Sequence, residues 1–286
     1  MNRFIGVAAV LGCVLGGFLM AGGNPITLIQ PSEFIVIGGA AFGSLLISLS
    51  PVGLKKLQQR SLGAFKKNPF NLAAASEILQ LLYHLTIVVK REGVIALENH
   101  LRDPGSSNIF SSYPFVMRNP HVLHFVTEAL ALQVDGAVGP EDLDGILERA
   151  LDTHHAEDAV PGAILQKMGD ALPGLGIVAA VLGIIITMGH MDGGAEVVGH
   201  HVACALVGTF LGVLLSYGFV QPVVSAMEAD LKDEENFYEA IKIGMSAFAQ
   251  GKAPVVVVEM ARRALHSYNR PERETVEEAC KALRAA

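Results

Sequence analysis

Apolar and polar residues are unevenly distributed along this chain. The apolar ones collect in four blocks, at residues 4–22, 34–52, 171–189 and 202–227, and none of these blocks contains Asp, Glu, Lys or Arg. Each reaches the roughly 20 residues that a helix needs to cross the hydrocarbon of a bilayer. The pattern therefore predicts an all-α membrane protein with four transmembrane helices. The first block, with Arg3 ahead of it and the small run Ala21-Gly22-Gly23 behind, also has features of a cleaved signal peptide. Its apolar stretch is too long for that, and a second span follows closely.

Between the second and third blocks the period changes to that of amphipathic helices. Over residues 71–91, Leu72, Ile78, Leu79, Leu82, Leu85 and Val89 recur at helical spacing. Pro69 suits the start of that helix and Gly93 its end. Further helices are expected at 120–135, 140–153, 236–249 and 255–266, with no strand alternation and no internal repeat. The run Val255–Val258 has strand-like composition, but its flanks favour helix. The expected organisation is two spans in 1–52, a large helical domain in 53–170, two spans in 171–227 and a helical tail in 228–286.

The distribution of Lys and Arg orients the spans. The connections 24–33 and 190–201 have none, whereas 53–170 holds eleven and 228–286 holds nine. Both basic segments and both termini are expected in the cytoplasm, and the two short connections in the periplasm.

Composition supports the membrane reading, with 51% hydrophobic and only 17% charged residues, against about 25% charged in an ordinary soluble chain. The net charge of −7 gives no electrostatic support to a nucleic-acid partner. Cys13, Cys204 and Cys280 lack the spacing of a disulfide framework or a metal site and read as packing residues. The adjacent pairs His154-His155 and His200-His201, with His190 near the second pair, invite a metal hypothesis. Adjacent residues on a helix diverge by about 100°, so solvated or interfacial histidine is the simpler reading, and no metal or cofactor is expected. No phosphate-binding loop, nucleophile elbow or His-Glu-x-x-His is present, and the chain is not expected to be an enzyme.

An ion-moving protein normally carries ionisable groups in its membrane helices. Their absence from the four blocks means that the chain moves no ions, or that a partner supplies the carboxylate. Small residues stand out instead, with Gly12 and Gly16, Gly39 and Gly43, and Gly208 and Gly212 each four apart. Such spacing lets helices approach closely and suggests a tightly packed oligomer. Pro173 opens the third block and Pro222 lies late in the fourth, where each frees the carbonyl four residues earlier and kinks the helix. Thr209 places a hydroxyl in the middle of the fourth block and Thr187 another near the end of the third. Outside the spans, Lys90, Arg91, Glu92 and Glu98 surround a turn between helical stretches, where they form either a docking surface or an ordinary solvated face.

Several longer runs stand out along the chain. One extends from Val10-Leu11-Gly12 through Gly16-Gly17-Phe18-Leu19-Met20 and Gly22-Gly23 to Gln30-Pro31-Ser32-Glu33. Another is Ile109-Phe110-Ser111-Ser112-Tyr113-Pro114. The most specific are Gly169-Asp170-Ala171-Leu172-Pro173-Gly174-Leu175-Gly176-Ile177-Val178-Ala179-Ala180-Val181-Leu182-Gly183 and Val207-Gly208-Thr209-Phe210-Leu211-Gly212, continuing to Gln221-Pro222. These runs resemble the MotA family of flagellar stator subunits, and the resemblance covers nearly the whole chain. It implies an inner-membrane ring of five copies around a dimer of MotB, which supplies the essential membrane aspartate. It gives functional roles to Pro173 and Pro222, and sets Thr209 beside the partner aspartate. Sodium-driven relatives have threonine where this chain has Ala180, so the resemblance favours protons as the coupling ion. It also implies a charged contact with the rotor protein FliG, in which Glu98 is the acidic member and Lys90, with Arg91 next to it, stands where the family usually has Arg. An energiser of the ExbB/TolQ type is the nearest rival but typically has three spans. A purely structural membrane scaffold would leave the Pro173, Thr209 and Pro222 set unexplained.

Overall fold

The computed structural model describes residues 2–189 and 194–285. It is all helical, at 84% helix, with no strand among the described residues. The helices are α1 (Asn2–Met20), α2 (Pro31–Ser48), α3 (Pro51–Gly63), α4 (Leu72–Glu92), α5 (Glu98–Arg102), α6 (Pro114–Arg118), α7 (Pro120–Val134), α8 (Pro140–Met188), α9 (Gly194–Val213), α10 (Gln221–Ala249), α11 (Pro254–Ala264) and α12 (Arg273–Ala285). A seven-residue π-helical segment, Leu214–Val220, joins α9 to α10.

The chain divides into two compact units, one of residues 1–67 with 158–229 and the other of residues 68–157 with 230–286. These divisions differ from the expected boundaries at 52, 170 and 227, because packing and membrane burial follow different residues. Segments 53–67 and 158–170 are polar enough to lie outside the hydrocarbon, yet they pack with the spans. The structure also joins the helix expected at 140–153 to the third span, making one 49-residue helix that continues through Pro161 and Pro173.

The first unit carries the four spans. α2 starts three residues before its apolar block, with Pro31 in the first turn, where its missing N–H costs no bond. It ends at Ser48, short of the expected 52. Pro51 disfavours helix in the residue before it, and the Ser50 hydroxyl caps α3 by accepting from the Gly53 amide at 3.2 Å. α9 begins at Gly194, so the expected connection at 190–201 is largely helical, and its residues 190–193, His190 included, lie outside the described residues. One core cluster joins Ile37 and Ala41 of α2 to Leu172 and Ala179 of α8 and Val207 and Leu211 of α9. A second joins Leu49, Leu57 and Ala64 to Leu165, Val224 and Met227. Lys56 and Arg60 of α3 both reach the Asp158 carboxylate of α8. Elsewhere the spans present apolar side chains outward, among them Leu11, Leu15, Ile35, Ile47, Ile185 and Leu206. Such a surface suits lipid or neighbouring copies.

The second unit has a conventional core, centred on Leu79, Leu82, Phe110, Leu130, Phe237, Ile241 and Met245. α4 is long and apolar enough to cross a membrane, yet half of that stretch is buried inside the protein. Nine of its residues, from Ala74 to Thr86, face the core, so it is a central packing helix and not a fifth span. The Asn71 side chain caps it by accepting from the Ala73 and Ala74 amides, and Gly93 ends it at φ +85°, a backbone conformation that favours glycine. The Ile109–Pro114 run serves this packing, with Phe110 and Tyr113 buried and the Tyr113 hydroxyl 3.2 Å from His84 Nδ1. Burial raises the Tyr113 phenol above its usual range, assisted by Cys280 and Glu77 nearby. The Val255–Val258 run is helical, inside α11.

Candidate functional site

α8 and α9 cross closely in the first unit, and glycine makes the approach possible. A β-carbon on Gly176 would lie 2.8 Å from the Gly208 carbonyl oxygen and 3.3 Å from Thr209 Cα. One on Gly212 would lie 2.6 Å from the Leu172 carbonyl and 2.9 Å from Gly176 Cα. One on Gly208 would lie 3.3 Å from the Ala180 amide nitrogen. Ala180 and Thr209 are therefore brought to the same crossing, both half-buried, with Pro173 one turn from Gly176. Of the glycine pairs singled out above, only Gly208/Gly212 is used within the chain. Gly12, Gly16, Gly39 and Gly43 meet nothing within 4 Å. Thr187 donates back to the Gly183 carbonyl at 2.8 Å within its own helix, as membrane-helix threonines commonly do.

Pro222 lies away from that crossing. It is exposed, in the first turn of α10 immediately after the π-helical segment, where the Gln221 amide bonds to Ser216 O, five residues back. The structure accommodates this proline with a widened turn, where the sequence suggested a simple kink. Pro222 lines a cavity of about 220 Å³ with Arg3, Val7 and Val10 of α1 and Phe219. Beside it, Gln221 donates to the Asp170 carboxylate at 3.0 Å, joining the two sequence runs that contain Pro173 and Pro222.

Glu33, expected in the connection 24–33 and not among the expected site residues, lies in the first turn of α2 at 6% exposure. Its Oε2 has no hydrogen-bond partner among the described residues and points at Gly208, where an added β-carbon would overlap it. The signal was available, since proline in the first turn and an acidic residue two positions later are N-terminal helix features.

In the second unit, Lys90 and Arg91 occupy the last turn of α4 and Glu98 opens α5, all three exposed. Each charge has the sign that its helix end favours. Arg91 donates to the Arg284 carbonyl at 3.2 Å, and Glu98 pairs with Arg102 at 3.7 Å. The histidines lie in small groups, His121 with His154 and His200 with His201, each pair with ring centroids 5.9 Å apart. His155 pairs with Glu235, and His200 Nε2 lies 3.7 Å from Cys204 Sγ.

Residues 4–93 match the family Motility protein A N-terminal, and residues 119–240 match the MotA/TolQ/ExbB proton channel family. The chain is 33% identical over 284 residues to Motility protein A of Escherichia coli, covering 99% of this chain and 96% of that protein. The chain belongs to the Motility protein A family. It is also 36% identical over 263 residues to the chemotaxis protein LafT of Vibrio parahaemolyticus, with 92% of each chain covered. Its fold is that of a chain in the flagellar MotAB stator complex from Bacillus subtilis, at TM-score 0.75 and 22% identity over 96% of this chain and 98% of that one. As a member of this family it is a multi-pass membrane protein. Its first two spans and α4 fall within the part specific to motility protein A, which disfavours an ExbB/TolQ identity.

Proposed function

We propose that this chain is the A subunit of a proton-driven flagellar stator. Five copies surround a MotB dimer in the bacterial inner membrane, with both termini in the cytoplasm, and the complex turns the rotor through FliG. The full-length kinship with Escherichia coli Motility protein A carries the reading. The chain itself performs no catalysis and needs no cofactor.

Protonation neutralises the partner aspartate and weakens its hold on the ring, which then steps around the dimer. Each proton supplies about 2.3 kcal/mol per 100 mV, or about 4 RT, so the steps are small and frequent. The Ala180–Thr209 crossing presents a single side-chain hydroxyl at those two positions. That is poor replacement for the hydration shell of sodium and adequate for a proton, which supports protons as the coupling ion. Pro173 and Pro222 serve as compliant points in spans three and four. Lys90 and Glu98 make the rotor contact, and Lys90 is preferred over Arg91 because the Arg91 guanidinium is already engaged by the backbone of α12.

The test is swimming speed in a stator-deleted host expressing this chain with its partner, across sodium concentrations and with a protonophore. Indifference to sodium and arrest by the protonophore are expected. Speed that rises with sodium overturns the choice of ion, and no rescue by an inserted, partner-bound protein overturns the stator reading.

A further inference from the structure

Glu33 is a carboxylate buried in the span-bearing unit with an unpartnered oxygen, a costly arrangement unless the group exchanges protons or has a transient partner. Its surroundings are specific. The oxygen points at Gly208, the residue before Thr209, and the same contact includes the Ala180 backbone. Behind it, His200, Cys204 and Gly208 follow one another at four-residue spacing along one face of α9. They run from exposed imidazole to half-buried thiol to the buried crossing, and His200 Nε2 lies 3.7 Å from Cys204 Sγ. From α9, His200, His201 and Cys204 are the titratable groups at or beside that face, with Glu196 one turn beyond His200. The stretch 171–189 of α8 and the rest of α2 contribute no Asp, Glu, Lys or Arg.

We propose that Glu33 is a proton-relay residue on the periplasmic side of the ion pathway, reached from water past His200 and Cys204. This deepens the stator reading and rests on it. A proton from the outer water passes along the His200–Cys204 face of α9 to the Glu33 carboxylate, which becomes the neutral acid. Glu33 then releases it inward at the Ala180–Thr209 crossing to the partner carboxylate and returns to its anion. One proton enters, one leaves, and no electrons move. Glycine at 208 gives the carboxylate its access, because any side chain there would fill the space into which Oε2 points.

The test compares wild type, Glu33→Gln and Glu33→Asp, each co-expressed with the partner in a stator-deleted host. Assembly is read by co-purification and by counting stators at motors, and rotation speed per assembled stator is read across external pH. Glu33→Gln keeps shape and polarity but cannot titrate. It is expected to assemble, to lose most of its speed per stator and to lose the dependence on external pH. Glu33→Asp should restore speed with a displaced pH profile. Wild-type speed and profile in Glu33→Gln overturn the relay, as does a loss confined to the number of assembled stators. Should Glu33→Gln fail to assemble, the profile of Glu33→Asp decides, displaced in support and coincident with wild type against. Wild-type rotation that survives a protonophore would instead overturn the proton-driven stator reading beneath it.

Discussion

Glu33 Oε2 points directly at the α-carbon face of Gly208, so α2 and α9 meet where one brings a carboxylate and the other has no side chain. A methyl group at 208 would overlap that oxygen and stand 3.1 Å from Ala179 Cβ. Overpacking of this kind typically costs about 1–3 kcal/mol. Gly208→Ala should therefore lower the thermal midpoint of the purified chain. Gly12→Ala, which meets nothing in its own chain, should leave it unchanged. Loss of oligomer in the Gly12 variant alone would show that this face of α1 touches a neighbouring copy. Equal midpoints for wild type and Gly208→Ala would contradict the close packing.

Much of the architecture could be read from residue types, and the exceptions have physical reasons. The end of α4 was legible because Gly93 lacks a side chain, whereas its start was read from Pro69 and the cap itself is made by the Asn71 side chain. Helix at 255–258 was legible from its flanks against the β-branched composition of the run. The continuity of α8 was not, since the apolar period fades over 154–170 and Pro161 looks like a stop. The structure nonetheless continues the helix through it. The π-helical segment leaves no mark in residue type, because it is a change of hydrogen-bond register. Pro173, Ala180 and Thr209 were found through motif and small-residue spacing and do converge on one crossing. Glu33 escaped because a hydropathy block stops at the first charge, although a helix can begin before it.

Lys90 and Glu98 stand exposed on adjoining helix ends, and single surface charges are worth only about 0–1 kcal/mol to stability. Reversing either should leave folding and partner binding intact while reducing recruitment to the motor and swimming speed, since charges on a contact rim steer association. Arg91→Ala should be milder than Lys90→Glu. Loss of the complex on co-purification would show that these residues hold the stator together and do not dock it.

Glu259 accepts hydrogen bonds from Arg262 and Arg263, and these hold its carboxyl down at about 2, from an ordinary value of 4.5. A depressed folded-state value stabilises the fold above the unfolded value and is lost as pH falls through the folded one. The advantage of wild type over Glu259→Gln should thus be constant above about pH 5. It should shrink below pH 4.5 and vanish near pH 2. Thermal melts of both proteins across that range check it, and a difference that persists at the lowest pH would rule out the arginine pair as its source.

Cys280 is buried against the second unit's core, and burial raises its thiol to about 11. The thiolate is the reactive form. Maleimide labelling of Cys280 in the native protein at neutral pH should be far slower than in denaturant, and mass spectrometry of the labelled peptide reads this directly. Rapid native labelling would mean that α12 opens readily from α4.

Pro173 and Pro222 occupy different surroundings, and their replacement should separate two effects. Pro173 lies half-buried, one turn from the Gly176–Gly208 approach. Alanine there restores an amide that can bond within the helix and stiffens α8 where it crosses α9 most closely. Pro222 is exposed beside the 220 Å³ cavity and follows a ladder already widened to five-residue bonds, so alanine there allows the segment 214–220 to return to ordinary α-helix. Both variants should insert and bind the partner. Pro173→Ala should lose torque at every load, because its change lies at the crossing itself. Pro222→Ala should change hydrogen exchange across 214–220 as well as torque. Normal swimming in Pro173→Ala would remove its role as a compliant point, and unchanged exchange in Pro222→Ala would detach the widened turn from the proline that follows it.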